Sequence, residues 1–128
     1  MDFVAKNFIR TSVIYFAISA IIGSYFLFHR HMQLNYIHSH LMLLGWMSMM
    51  IYGVGYHILP RFNGNPVAFP ILAIIHFWWA NVALVGLVVS WLLTMDVLIG
   101  IFAILNAIGV IMFTTNILVS IRKPKEED

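Results

Sequence analysis

Apolar residues dominate this chain, and polar residues gather in three short breaks between them. Four apolar stretches lie at about residues 11–28, 37–59, 67–93 and 97–121, and each is long enough to cross a hydrocarbon core of about 30 Å. The breaks at about residues 29–35, 60–66 and 94–96 carry polar residues, Pro, Asn and Gly, which are typical of loops. Because short loops join antiparallel neighbours, the pattern predicts an all-α membrane protein with a four-transmembrane-helix up-down bundle, as a single domain over residues 1–128.

Composition supports the membrane class and narrows the chemistry. Of 128 residues, 62% are hydrophobic and 9% are charged, more apolar surface than a soluble domain of this size could bury. The chain has no cysteine, which excludes disulfides, cysteine-ligated iron–sulfur clusters, zinc thiolate sites and covalently attached c-type haem. Metal or haem held by histidine stays open.

The basic residues predict an orientation. Arg30 falls on one side of the four-span arrangement, and six basic residues fall on the other: Lys6, Arg10, Arg61, Arg122, Lys123 and Lys125. The positive-inside rule therefore predicts cytoplasmic N and C termini in a prokaryotic inner membrane. With a net charge of only +2, these residues indicate topology and not a nucleic-acid surface.

Four of the six histidines have competing interpretations. His29 and His31 lie in a predicted loop, where a hydrated imidazole needs no function. His57 lies near Pro60 and could reach the inner interface, while His76 lies inside the third span, where it serves either as a ligand or as a hydrogen-bond partner of another helix. Because His57 and His76 have similar depths, they form a candidate second metal site.

His38 and His40 form the stronger candidate site. Neutral imidazole is the commonest metal ligand in proteins and binds haem iron axially. Residues i and i+2 on a helix differ by roughly 200°, so these two side chains face different flanks and cannot grip the two faces of one haem. His40 and His76 are expected to lie roughly 20 Å apart along the membrane normal, too far to share a haem.

Other residues of the spans complete the set of candidates. Gly45 is a candidate cofactor contact because a glycine leaves room for a flat macrocycle, although small residues equally let two helices approach. Tyr52 and His76 are further candidate cofactor contacts. Polar residues of the fourth span are expected to bond neighbouring helices: Asn106, Thr114, Thr115 and Asn116. No pair of carboxylates lies within the spans for acid–base chemistry.

The stretches at residues 38–46 (HSHLMLLGW) and 51–60 (IYGVGYHILP) resemble the second transmembrane helix of subunit I in the haem-copper oxidase superfamily, most closely the cbb3-type oxidases and nitric oxide reductases. In that family a histidine near the outer end of this helix ligates the low-spin haem, so the resemblance implies haem b on His38 or His40. The family's copper ligands and its histidine–tyrosine crosslink have no counterpart here. The resemblance therefore implies no copper site and does not support copper-dependent oxidase activity; an enzymatic role would be that of a haem-dependent oxidoreductase.

The family fold also implies an oligomer. Its twelve helices form three four-helix arcs, and this chain resembles one such arc; in the tenth family helix, a His-x-His motif sends one imidazole to each of two haems. We therefore expect a homotrimer with haem b between His38 of one protomer and His40 of the next, with a dimer as the alternative. Bis-histidine ligation favours electron transfer, with a quinol or a cytochrome as redox partner, whereas an open position favours binding of NO or O2. The competing hypothesis is a cofactor-free accessory or assembly subunit, or a small transporter of protons or metal ions.

Overall fold

Four long helices form the computed structural model, which describes residues 2–122. They are α1 (Phe3–Phe28), α2 (Met32–Phe62), α3 (Pro70–Leu92) and α4 (Asp96–Arg122), and all four are long and apolar enough to span a membrane. No strand occurs within this described part of the chain. The predicted all-helical class and the four spans are therefore confirmed, and the chain is an integral membrane protein by length and composition of its helices.

Three of the four helices extend beyond the apolar stretches that predicted them, and α3 is shorter than its stretch. The polar break expected at 29–35 narrows to three residues, because α2 already begins at Met32. The break expected from Pro60 begins only after Phe62, since a proline in the last turn removes a single hydrogen bond without ending the helix. Helix α3 begins at Pro70, three residues later than predicted, because a first-turn proline has a preset φ and needs no intrahelical donor.

The helices form two antiparallel hairpins. Along α1 and α2, close contacts pair Gly23 with His38 and Tyr15 with Gly45, so residue numbers rise on one helix as they fall on the other. The ring of Phe102 on α4 lies over Gly86 of α3 in the same antiparallel sense. The hairpins meet where α2 packs on α4 and where α3 packs on α1 and α2.

Aromatic packing joins all four helices in the half of the bundle that contains the start of α1. Phe8 lies 5.4 Å from Tyr52 and 5.2 Å from Phe77, measured between ring centroids. Phe113 of α4 lies 4.9 Å from Tyr52 and 5.1 Å from Tyr56. Edge-to-face and tilted contacts of this kind fix helix positions beyond what nonspecific burial provides.

Polar side chains secure the loop between α2 and α3 to the end of α4. Asn116 accepts a hydrogen bond from the backbone N–H of Phe69 (3.1 Å) and donates one to its carbonyl (2.9 Å). Ser120 accepts from the N–H of Ala68 at 2.8 Å. Asn106 bonds across to the carbonyl of Ala83 at 3.0 Å. The prediction that Asn106 and Asn116 join neighbouring segments is therefore confirmed.

The other two polar residues predicted to join helices do not do so. Thr114 is exposed and donates to the carbonyl of Val110 on its own helix, which satisfies its hydroxyl without a neighbour. Thr115 is also exposed. That part of the prediction was wrong, because the sequence does not indicate which face of α4 meets another helix.

The basic residues divide between the two ends of the bundle. Lys6, Arg61 and Arg122 lie near the end that holds the start of α1, and Arg30 lies at the opposite end. Lys123 and Lys125 lie outside the described residues. Which end faces the cytoplasm stays a prediction.

Candidate functional site

Helix α2 changes its winding directly after the paired histidines. It is α-helical over Met32–His40, π-helical over Leu41–Ser48 and α-helical again over Met49–Phe62. The Ser48 hydroxyl donates to the carbonyl of Leu43, five residues earlier, at 2.8 Å. A π segment of this length is unusual, and π turns within helices occur frequently at functional sites. The π-helical segment therefore makes the region next to His40 a candidate functional site.

The imidazole of His38 lies against α1. Its Nδ1 is 2.7 Å from the carbonyl oxygen of Ser19, and the Ser19 hydroxyl donates to the carbonyl of His38 at 2.9 Å. Because a carbonyl oxygen can only accept, Nδ1 carries the hydrogen, and the neutral ring then has an unprotonated Nε2. A Cβ at position 23 would lie 2.5 Å from the His38 Cε1, so a glycine is needed beneath the ring.

The imidazole of His40 faces another neighbour. Its Nδ1 is 2.8 Å from the carbonyl oxygen of Tyr36, and its ring centroid is 4.6 Å from that of Trp91 on α3. As the i, i+2 spacing predicts, the two imidazoles lie against different helices. Nδ1 of His40 again donates to a carbonyl, so its Nε2 is also unprotonated in the neutral ring.

Both Nε2 atoms are available to a ligand. Each belongs to a half-buried side chain and has no hydrogen-bond partner within residues 2–122. Metal-ligating histidines almost always donate their second N–H to a carbonyl, a carboxylate or water, which is the arrangement of His38 and His40. No cluster of three or more His, Cys, Asp or Glu residues forms in this part of the chain. Haem differs from a bare metal ion in needing only one or two protein ligands, because its macrocycle supplies the other four.

His76 is enclosed in the aromatic core, far from this pair. Its ring is fully buried, its Nδ1 is 2.9 Å from the Tyr56 hydroxyl, and its Nε2 has no partner among the described residues. A Cβ built on Gly109 would lie 3.8 Å from that Nε2, so the space there suits a group about as large as a methyl. A haem macrocycle does not fit against His76 in this packing.

The predicted separation between the two regions agrees with the structure. His40 lies level with Trp91, and His76 precedes Trp91 by fifteen residues on the same helix. At about 1.5 Å per residue, this corresponds to roughly 22 Å along α3.

His57 and His76 do not share partners. His57 is half-buried, and the guanidinium of Arg61 on the same helix bonds both its Nδ1 and its carbonyl oxygen. A guanidinium beside Nδ1 repels a metal cation, and His76 is bonded to Tyr56 instead. A joint metal site stays a prediction that no contact supports.

Two further candidate cofactor contacts lie in helix packing. A Cβ at Gly45 would come 2.7 Å from the Tyr15 Cβ, so the space that this glycine provides is filled by α1. Tyr52 lies 4.5 Å from His76, measured between ring centroids, in the aromatic core. Both residues therefore follow the interpretation in which small and aromatic residues pack helices together. The loop residues His29 and His31 are exposed, and the His29 ring lies 4.4 Å from Tyr25.

Sequence reasoning missed the residues that hold His38. Ser19 and Gly23 are four residues apart on α1, and this small-x-x-x-small spacing indicates a face that another helix approaches closely. The spacing could have predicted close contact between α1 and α2. It could not have predicted which residue of α2 fills the position.

Comparisons with protein-family models, with curated proteins and with solved structures give no match to this chain.

Proposed function

We propose that this protein binds haem b in the membrane, with His38 and His40 as axial ligands of the iron. The observation that carries the proposal is the shared state of the two imidazoles: each Nδ1 is fixed by a backbone carbonyl, and each Nε2 has no hydrogen-bond partner among residues 2–122. A hydrogen bond from Nδ1 orients the ring and raises the basicity of Nε2, which favours ligation. When bound, haem supplies one-electron redox chemistry or a site for a diatomic gas.

The residues around each ligand have defined roles in this proposal. Ser19 holds the tautomer and orientation of His38 through its carbonyl, and Gly23 leaves room for the ring. Trp91 packs against His40, limits its rotation and excludes water from one side. Ligation of one iron by two histidines leaves no open position and gives electron transfer, whereas ligation by a single histidine leaves a position for NO or O2.

The directions of the two imidazoles support an oligomer. Because His38 lies against α1 and His40 against α3, the two imidazoles of one protomer do not face the same haem. In this proposal the pair therefore serves two haems, each completed by a neighbouring protomer. The outer helices leave extensive apolar surface: only 11% of the most apolar window of α1 and 6% of that of α4 are buried within one chain. A closed homotrimer, with His38 of one protomer and His40 of the next on each haem, satisfies this arrangement by one repeated interface. A twofold dimer is the alternative.

Haem binding is tested by the reduced-minus-oxidised optical spectrum and the haem-to-protein ratio of the purified protein. We expect split α and Soret bands of six-coordinate haem b, and their loss in His38→Ala and in His40→Ala. His29→Ala is the matched control, because this exposed imidazole holds no ligand in the proposal. If His38→Ala and His40→Ala both retain full haem, the ligand assignment fails.

A second measurement separates the ligation states and the assemblies. A spectral shift on addition of carbon monoxide indicates an open position and the gas-binding function, and no shift indicates electron transfer. Native mass spectrometry with retained haem should give three protomers; one or two protomers refute the trimer. A preparation without visible absorbance refutes the haem proposal and favours the cofactor-free accessory or transporter function.

The location proposed for this function is a prokaryotic inner membrane with both chain termini in the cytoplasm. The support is the grouping of Lys6, Arg61 and Arg122 at one end of the bundle. The variant His31→Cys tests this orientation, because its single cysteine can be exposed in intact cells to a thiol reagent that does not cross the membrane. Labelling there supports the orientation, and protection refutes it.

A further inference from the structure

A groove lies between α1 and α3 on the surface of the bundle. It has a volume of about 660 Å³, and Phe102 of α4 also contributes to its lining. One wall is formed by a row at four-residue spacing on α1 that includes Asn7, Thr11 and Tyr15. The other wall includes Trp78 and Val82 of α3, which are 59% and 63% exposed. The groove therefore opens sideways toward the lipid.

A polar pair crosses this apolar groove at mid-depth. The Tyr15 hydroxyl donates to Oδ1 of Asn81 at 2.6 Å, and Nδ2 of Asn81 donates to the carbonyl of Phe77 at 2.8 Å. Asn81 is the middle residue of α3, so the pair lies near the centre of that span. Polar side chains at this depth are costly when lipid surrounds them, which makes the pair a candidate functional feature.

The pair retains hydrogen-bonding capacity that the described residues leave unused. An asparagine amide has two N–H donors, and only one of those of Asn81 is bonded; the Tyr15 oxygen can also accept. Asn7 and Thr11 likewise donate to carbonyls of their own helix, Asn7 to Phe3 and Thr11 to Asn7. Tyr15 and Asn81 differ from them because they also bond each other across the groove. Because Tyr15 and Asn81 both line the groove, one N–H of Asn81 and the lone pairs of Tyr15 remain for a ligand that enters it.

We infer that the groove binds a lipid-soluble quinone or quinol, with the oxygen of its ring at the Tyr15–Asn81 pair. Such a molecule arrives through the lipid, carries a neutral hydrogen-bonding oxygen to mid-depth and has an apolar tail for the rest of the groove. Its flat ring suits the faces of Trp78 and Phe102. Among the described residues, none of those that line the groove is charged, which matches an uncharged ligand.

Other occupants match the groove less well. A phospholipid acyl chain has no hydrogen-bonding atom at this depth. A second copy of the chain would present the outer face of α1 or α4, and mid-depth positions there are apolar, such as Ile14 on α1 and Ile104 on α4. Neither would bond the free N–H of Asn81.

The position of the groove suggests what the ligand is for. Tyr15 and Ser19 are one turn apart on the same face of α1, about 6 Å along the axis, and Ser19 holds His38. A quinol at Tyr15 would thus be the electron donor for haem on His38. This donor role rests on the proposed haem function, whereas binding of the quinone does not.

The test is a titration of the purified protein in lipid nanodiscs with a short-tailed benzoquinone, followed by quenching of tryptophan fluorescence. We expect saturable quenching, with an affinity lowered about fivefold or more in Tyr15→Phe and in Asn81→Leu, since each loses one hydrogen bond of about 1 kcal/mol. Tyr15→Phe keeps the ring that packs on Gly45. Trp78→Phe should remove much of the signal.

A matched pair of filling variants controls for nonspecific partition. Val82→Phe fills the groove and should abolish saturation, whereas Ile104→Phe, at an equally exposed position on α4, should leave it unchanged. Non-saturating quenching, or equal quenching in Val82→Phe and the unaltered protein, overturns the proposal in favour of lipid in the groove. Saturation that appears only after the oligomer dissociates overturns it in favour of a second copy. Haem content measured in the same samples keeps this result separate from the haem proposal.

Discussion

The packing of the His38 imidazole on Gly23 of α1 gives a prediction for a glycine-to-alanine change, in which a tertiary contact decides whether stability rises or falls. A glycine-to-alanine change in a helix interior usually stabilises, by about 1 kcal/mol. At Gly100 a new Cβ meets no atom within 4 Å, so Gly100→Ala should show this gain. At Gly23 the new Cβ would lie 2.5 Å from Cε1 and 2.6 Å from Nδ1 of His38, distances that force the imidazole out of its position.

The cost at Gly23 follows from the bonds that the displaced ring gives up. Moving His38 breaks the 2.7 Å bond from Nδ1 to the Ser19 carbonyl and disturbs the 2.9 Å bond from the Ser19 hydroxyl. At about 1 kcal/mol each, the loss is about 2 kcal/mol. Against the helical gain of about 1 kcal/mol, Gly23→Ala should be about 1 kcal/mol less stable than the unaltered protein and about 2 kcal/mol less stable than Gly100→Ala.

Reversible unfolding by SDS in bicelles measures the stabilities, and the haem-to-protein ratio measures ligation. Loss of a hydrogen bond that orients a ligand typically lowers metal affinity 10–100-fold, so haem retention should fall in Gly23→Ala and not in Gly100→Ala. Equal stability and equal haem content in the two variants would refute the packing of the His38 imidazole on Gly23. A difference in stability with unchanged haem content would support that packing and refute its role in haem ligation.

Two further predictions concern buried polar contacts in the other half of the bundle. Tyr56→Phe leaves both nitrogens of His76 without a partner among residues 2–122 and should cost about 1–3 kcal/mol. Tyr56→Phe combined with His76→Leu should cost less than the sum of the single changes, because the buried imidazole that lost its partner is then removed. Additive costs in an SDS unfolding cycle would contradict this pairing. Asn116→Leu removes both hydrogen bonds to the backbone of Phe69 and should cost about 1–3 kcal/mol of stability. Thr114→Val, on the exposed face of α4, should lie within about 0.5 kcal/mol of the unaltered protein. Similar unfolding midpoints for these two variants would show that Asn116 does not hold the loop between α2 and α3.

Hydropathy along the chain determined the class and number of helices, since burial in lipid depends on the composition of each span rather than on its partners. The same local periodicity determined that His38 and His40 face different flanks, because the angle between two residues of a helix depends only on their spacing. Helix ends were less accurate: α2 passes through Pro60, where a proline in the last turn is tolerated.

The partners of those side chains were decided by tertiary packing. Ser19 meets His38, Tyr15 meets Asn81 and Tyr56 meets His76 across 19, 66 and 20 positions of sequence. In a chain that is apolar on nearly every face, hydrophobicity does not distinguish lipid-facing from helix-facing positions, so the pattern could not predict these pairs. Close approach of the backbones selects them instead: where Gly23 and Gly45 allow α1 and α2 to touch, His38 and Tyr15 fill the space that a side chain at those two positions would need.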